Sequence, residues 1–102
     1  MNIIDRIYKA MDPDPKFVIA IKNPQGGTPI RLMTNSFDHL KANIDRFRTE
    51  DILYIAMRYG VFYKKIKAVA IYSPGLEGVY RGKKEALAEL ATIIMQYAQS
   101  RK

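Results

Sequence analysis

Three clusters of proline and glycine divide this chain into short pieces and so limit the length of every element it can form. They are Asp12-Pro-Asp-Pro15, Asn23-Pro-Gln-Gly-Gly27 and Ser73-Pro-Gly75. Proline lacks a backbone donor and biases the preceding residue away from helix, while glycine supplies positive φ, so regular structure stops at each cluster. Between them lie Lys16 to Lys22, Thr28 to Met33 and Lys64 to Tyr72, whose β-branched and aromatic content predicts strands. The first two form a hairpin across the Asn23–Gly27 turn, with Pro29 suited to an edge or a strand start. Gly78 to Arg81 reads as a short fourth strand.

Helical spacing of apolar residues predicts the rest. Asn2 to Met11 places Ile3, Ile4, Ile7, Tyr8 and Met11 on one side. Ser36 is a suitable N-cap for a helix from Phe37 to about Arg48, with Phe37, Leu40, Ile44 and Phe47 facing inward. Thr49 caps a further helix from Glu50 to Tyr59, which Gly60 ends. Only Arg58 is charged in Ile52–Tyr59, so this helix is expected to be buried in the domain or in a subunit contact. The last helix runs from Lys83 to about Ser100, with Leu87, Leu90, Ala91, Ile94, Tyr97 and Ala98 inward.

The expected fold is therefore α/β of the α+β type, with about four antiparallel strands and about four helices in a single domain over residues 1–102. An offset of 50 residues aligns two ββα units, approximately 16–48 and 66–98. Six of the 31 pairs from Val18/Ala68 to Arg48/Ala98 are identical, against roughly two expected from average composition. This implies a pseudo-twofold internal repeat. Strand parity puts Phe17, Ile19, Ile21, Val69 and Ile71 on a face that receives helices. The opposite face carries Val18, Ala20, Ile66, Ala68, Ala70 and Tyr72, relieved only by Lys22. A solvated sheet face alternates to polar residues and this one does not, so a helix or a second subunit should cover it. A homodimer or other small homo-oligomer is expected, with Ile52, Ile55, Tyr59, Ala68, Ala70 and Tyr72 at an oligomer or partner interface.

Composition excludes several classes. With 102 residues, 48% hydrophobic and 26% charged, the chain suits one folded domain. It has no cysteine and one histidine, leaving no disulfide framework, no thiolate chemistry and little room for a transition-metal site. No apolar run approaches the ~20 residues of a membrane span. Asp5, Arg6 and Lys9 interrupt the N-terminal segment, which lacks the apolar core of a signal peptide, so a cytoplasmic protein is expected.

The net charge of +7 is uneven. Lys16 to Asn35 carries three basic residues and no acid, and Val61 to Lys84 carries six basic residues against Glu77. Lysine clusters attract polyanions and release condensed counterions from nucleic acid. Lys64, Lys65, Lys67, Arg81, Lys83 and Lys84 are the expected phosphate contacts. Phe62, Tyr63, Tyr72 and Tyr80 lie among them and can stack on bases wherever they face solvent, Tyr63 and Tyr80 being the expected partners. The same lysines would also serve as edge-strand charges that discourage aggregation. Arg31 and Arg81 recur in both halves of the offset alignment, which suggests structural roles.

No catalytic constellation emerges. His39 falls off the inward stripe of its helix. The Asn23–Thr28 loop has the glycines of an anion cradle but leads into a strand, whereas phosphate loops lead into a helix N-terminus. Asp12/Asp14 and Glu50/Asp51 look like turn and first-turn residues, and no third acid makes either pair a cation site. No serine or threonine has a nearby histidine and acid. The reading is a non-enzymatic basic protein without metal or cofactor, a nucleic-acid-binding regulatory or accessory factor. Its alternative is a protein-interaction module, an inhibitor or adaptor using the apolar sheet face or the 52–59 helix. An enzyme acting on a small anion at the basic surface is a third reading, without a catalytic group to carry it.

Overall fold

The structure is a computed structural model that describes residue 3, residues 14–73 and residues 79–100. Its elements are β1 (Lys16–Ile21), β2 (Ile30–Thr34), α1 (Phe37–Ile44), β3 (Ile52–Tyr59), β4 (Lys65–Ala70), β5 (Tyr72–Ser73), β6 (Val79–Tyr80) and α2 (Lys83–Ser100). Single turns of 3-10 helix cover Thr49–Asp51 and Val61–Tyr63. Four strands form one antiparallel sheet in the order β2-β1-β3-β4, and β5 and β6 form a separate two-stranded ribbon. This is an α+β fold with a four-stranded antiparallel sheet and a C-terminal helix.

The first hairpin follows its turn chemistry. Asn23 accepts the Gln25 N–H on its side chain and the Gly26 N–H on its carbonyl, at 3.0 and 2.9 Å. Gly26 and Gly27 then take φ of +82° and +84°, which a side chain adopts only with strain. Ser36 caps α1 by accepting the His39 N–H at 3.1 Å. The helix ends at Ile44, a turn short of the expected Arg48, with Asp45 as its C-cap.

The largest departure from expectation is Ile52–Tyr59, which is a strand and not a helix. It lies at the centre of the sheet between β1 and β4. A strand covered on both faces loses the polar alternation that betrays strands, and its near-continuous apolar run then imitates a buried helix. Ile52, Ile55 and Met57 point into the core with Phe17, Ile19, Ile21, Val69 and Ile71. Leu40 and Ile44 of α1 and Ala86 and Leu90 of α2 cover this face. The expected helix-bearing face thus receives its helices. Phe37 meets Phe17 edge-on, with ring centres 6.1 Å apart.

The described residues contain two α-helices, not about four, and the expected Asn2–Met11 helix lies outside them apart from Ile3. Nor does a second copy of the first hairpin appear. The offset would pair Ile71 with Tyr80 as Ile21 pairs with Ile30, but Tyr72 is opposite Tyr80, one residue out of step. A one-residue slip reverses the faces of a strand. Moreover, β4 pairs with β3, and its would-be hairpin mate β6 pairs with β5. The chain changes partners at Ile71, whose N–H donates to Leu53 and whose carbonyl accepts from Arg81, both at 2.9 Å.

A side-chain bridge crosses part of the second face of the sheet. The register sets Arg31, Ala20 and Tyr54 in one row across β2, β1 and β3. Arg31 Nε donates to Tyr54 Oη at 3.0 Å, and Ala20 between them is fully buried. Arg31 therefore has the structural role expected of it. Ala68 and Ala70 on β4 remain exposed on this side, as does Ile66.

Candidate functional site

The six cations expected to form one basic surface fall at opposite ends of α2. Arg81 pairs with Glu89, and Lys83 donates to the Phe47 carbonyl, so both hold the start of α2 in place. Lys84 is exposed in the first helical turn. Lys64, Lys65 and Lys67 lie at the other end, where β3 turns into β4 and where Tyr97, near the end of α2, packs on Tyr59 with ring centres 4.8 Å apart. The thirteen helical rises between Lys84 and Tyr97 amount to about 20 Å. Only the second group is a cluster.

The turn between β3 and β4 gives that cluster its form. Gly60 leaves β3 with φ of +82°, and Tyr63 N–H closes the turn on the Gly60 carbonyl at 3.0 Å. Phe62 and Tyr63 both hold positive φ, +55° and +56°. Bulky residues rarely adopt this region, at a cost of about 1–3 kcal/mol each. Phe62 is 69% exposed, while Tyr63 is half-buried. A strained turn thus holds an aromatic ring out in water directly before Lys64 and Lys65. Sequence reasoning placed Phe62 near the lysines but favoured Tyr63 and Tyr80. The missing signal was the backbone conformation, which decides which of two adjacent aromatics faces outward. The Tyr72 and Tyr80 side chains lie outside those described.

Lys65 and Lys67 share the helix-side face of β4, opposite Tyr59 and Met57 respectively. An added Cβ at Gly60 would stand 3.4 Å from Lys65 Cγ, so the glycine leaves room for the lysine stem across the end of the hairpin. Ile93, Gln96, Tyr97 and Ser100 project from one face of α2 over the same strands. Together they line an open groove of about 500 Å³ with no acidic residue among the described ones that border it. Neither lysine of the groove is in an ion pair among the described residues, nor is Lys64.

The residues expected at a partner interface are also dispersed. Ile52 and Ile55 are fully buried in the chain's own core, because they belong to the central strand and not to a surface helix. Tyr59 is half-buried against Tyr97. Ala68 and Ala70 are exposed. An apolar surface that was not expected lies at the opposite edge, where β2 leaves Ile30, Leu32 and Met33 exposed. Beside it is a second groove of about 660 Å³, lined chiefly by Ile21, Pro24, Ile30, Leu32 and Phe47.

His39 is exposed on α1. Among the described residues no three of histidine, cysteine, aspartate and glutamate gather as metal ligands, and no helix is long and apolar enough to cross a membrane. Glu50 pairs with Arg48 at 2.5 Å on the surface. In comparisons with known proteins, no protein-family model, no curated protein and no solved structure matches this chain.

Proposed function

We propose that this protein is a non-enzymatic factor that binds single-stranded nucleic acid through the β3–β4 hairpin. Lys64, Lys65 and Lys67 contact phosphates and Phe62 stacks on a base. The exposure of Phe62 beside three lysines that have no acidic partner among the described residues carries the reading. Exposing a phenyl ring at a strained position is unfavourable in the free protein and becomes useful when a base covers it. Stacking is sequence-tolerant, and backbone lysines add affinity without sequence choice, so the target is a strand and not a particular site. A duplex hides the base faces that Phe62 needs.

Fluorescence anisotropy with labelled single-stranded and duplex DNA and RNA, across a salt series, tests this. Binding is expected to favour single strands and to weaken linearly in a log–log salt plot. Reversing the three lysines to glutamate should lower that slope by about 2, at about 0.7 per phosphate contact. Equal binding of duplex and single strand, or a slope that the triple variant leaves unchanged, rejects the proposal.

A second reading rests on the β2 edge. Ile30, Leu32 and Met33 are exposed there on a strand paired on one side only. Such an edge accepts a further strand from a protein partner, including a second copy of the chain. Concentration-dependent mass that Leu32→Lys abolishes would support this reading.

A further inference from the structure

We infer that the groove between β4 and the last turns of α2 binds a mononucleotide-sized phosphate monoester. Its volume of about 500 Å³ falls within the roughly 300–1,000 Å³ range of small-ligand sites. Strand alternation brings Lys65 and Lys67 to one face two residues apart, about 7 Å between Cα atoms, close enough for two flexible ammonium groups to converge on one phosphate. Among the described residues that line the groove none is acidic, and Lys65 and Lys67 supply two positive charges. Tyr59, Tyr97 and Ile93 supply an apolar and aromatic wall, and Gln96 and Ser100 supply hydrogen-bonding groups at the rim. A flat ring carrying a dianionic end matches this division, whereas a bare inorganic anion leaves the wall unused. The spacing 93, 96, 97 and 100 presents a single helical face, so the site depends on one rigid element set against two paired strands.

This site shares Lys65 and Lys67 with the strand-binding hairpin but does not need Phe62, and the two are separable. NMR titration of the isotope-labelled protein with AMP, adenosine and inorganic phosphate at low salt is the test. AMP is expected to shift amide signals around residues 57–67 and 93–100 saturably, binding about tenfold or more tighter than either fragment. Gln96 is exposed, so Gln96→Trp fills the groove without disturbing the core. That variant should lose AMP binding at least about tenfold and keep oligonucleotide anisotropy within about twofold of the parent. Phe62→Ala should do the reverse. A chemical-shift spectrum of Gln96→Trp that retains the parent's core signals establishes its fold. An absence of saturable AMP shifts, equal binding of phosphate alone, or a Gln96→Trp variant that binds AMP as the parent does overturns the inference. AMP binding without oligonucleotide binding upholds it and removes the hairpin reading instead.

Discussion

β2 and β4 occupy equivalent positions at the two edges of the sheet, each paired on one side only, yet they are built from different materials. β4 presents Lys65 and Lys67 on its helix side, and β2 exposes Ile30, Leu32 and Met33. Unpaired strand edges attract other strands, and lysine is a common device for blocking that contact. The β4 edge is protected against strand addition and suited to anions. The β2 edge has the opposite balance, with Arg31 occupied in the bridge to Tyr54 and apolar side chains open to water. The difference shows that the excess positive charge is not spread over the hairpins as a class. Three lysines gather at one hairpin tip, while elsewhere Arg81 pairs with Glu89 and Lys83 and Arg31 are tied by hydrogen bonds to the Phe47 carbonyl and Tyr54.

The comparison rests on β3 separating the two edges, and the largest expected effect lies there. Ile55→Ala should cost about 2–5 kcal/mol in urea denaturation, because it opens a cavity in a fully buried position. Alanine is the best helix former, so a near-neutral result would argue for the helix that the sequence alone suggested. At the β4 edge, combined Lys64→Glu, Lys65→Glu and Lys67→Glu should weaken single-stranded oligonucleotide binding about 100-fold, or about 2.7 kcal/mol. Anisotropy at low salt measures it. A single negative charge placed at β2, Leu32→Glu, should leave that affinity within about twofold, whereas the single reversal Lys65→Glu should weaken it more, and if both edges respond alike the contrast fails.

Phe62→Gly sharpens the contrast within the basic edge. Glycine accepts the +55° backbone, so stability should rise by about 0.5–1 kcal/mol while strand affinity falls about tenfold. Parallel urea titration and anisotropy would reveal that trade. The smallest effect is expected at Tyr54→Phe, which removes the acceptor for Arg31 over Ala20. A cost of about 0.5 kcal/mol or less, small because the bond is exposed, should appear in the same denaturation assay.

Much of this fold was readable from local chemistry. Turn residues located the first hairpin, Ser36 fixed the start of α1, and the apolar spacing from Lys83 to Ser100 matched α2 from end to end. The inward face of β1 and the inward positions Val69 and Ile71 followed from parity. What failed were inferences that depended on neighbours distant in sequence. Ile52–Tyr59 carries a single charge because β1 and β4 flank it and every residue of it is buried or half-buried, and a local pattern cannot distinguish that cause from burial of a helix. Ala98 was expected inward on α2 and is exposed, while Ala91 is half-buried and Ala86 is fully buried.

The candidate site divides along the same line. By itself the sequence determined the residue types: a lysine-rich segment with adjacent aromatics, no cysteine, and a single histidine too isolated for acid–base work. Charge and side-chain chemistry are properties of the residues, and they survive any arrangement of the chain. Only the tertiary structure decided that Arg81 and Lys83 are engaged at one end of α2, with Lys64, Lys65 and Lys67 gathered at the other. It also decided that Phe62 and not Tyr63 stands most exposed, and that a helix end roofs the lysine face of β4. Those outcomes depend on register, on two left-handed residues and on the path of an 18-residue helix, each fixed by packing between segments far apart in the sequence.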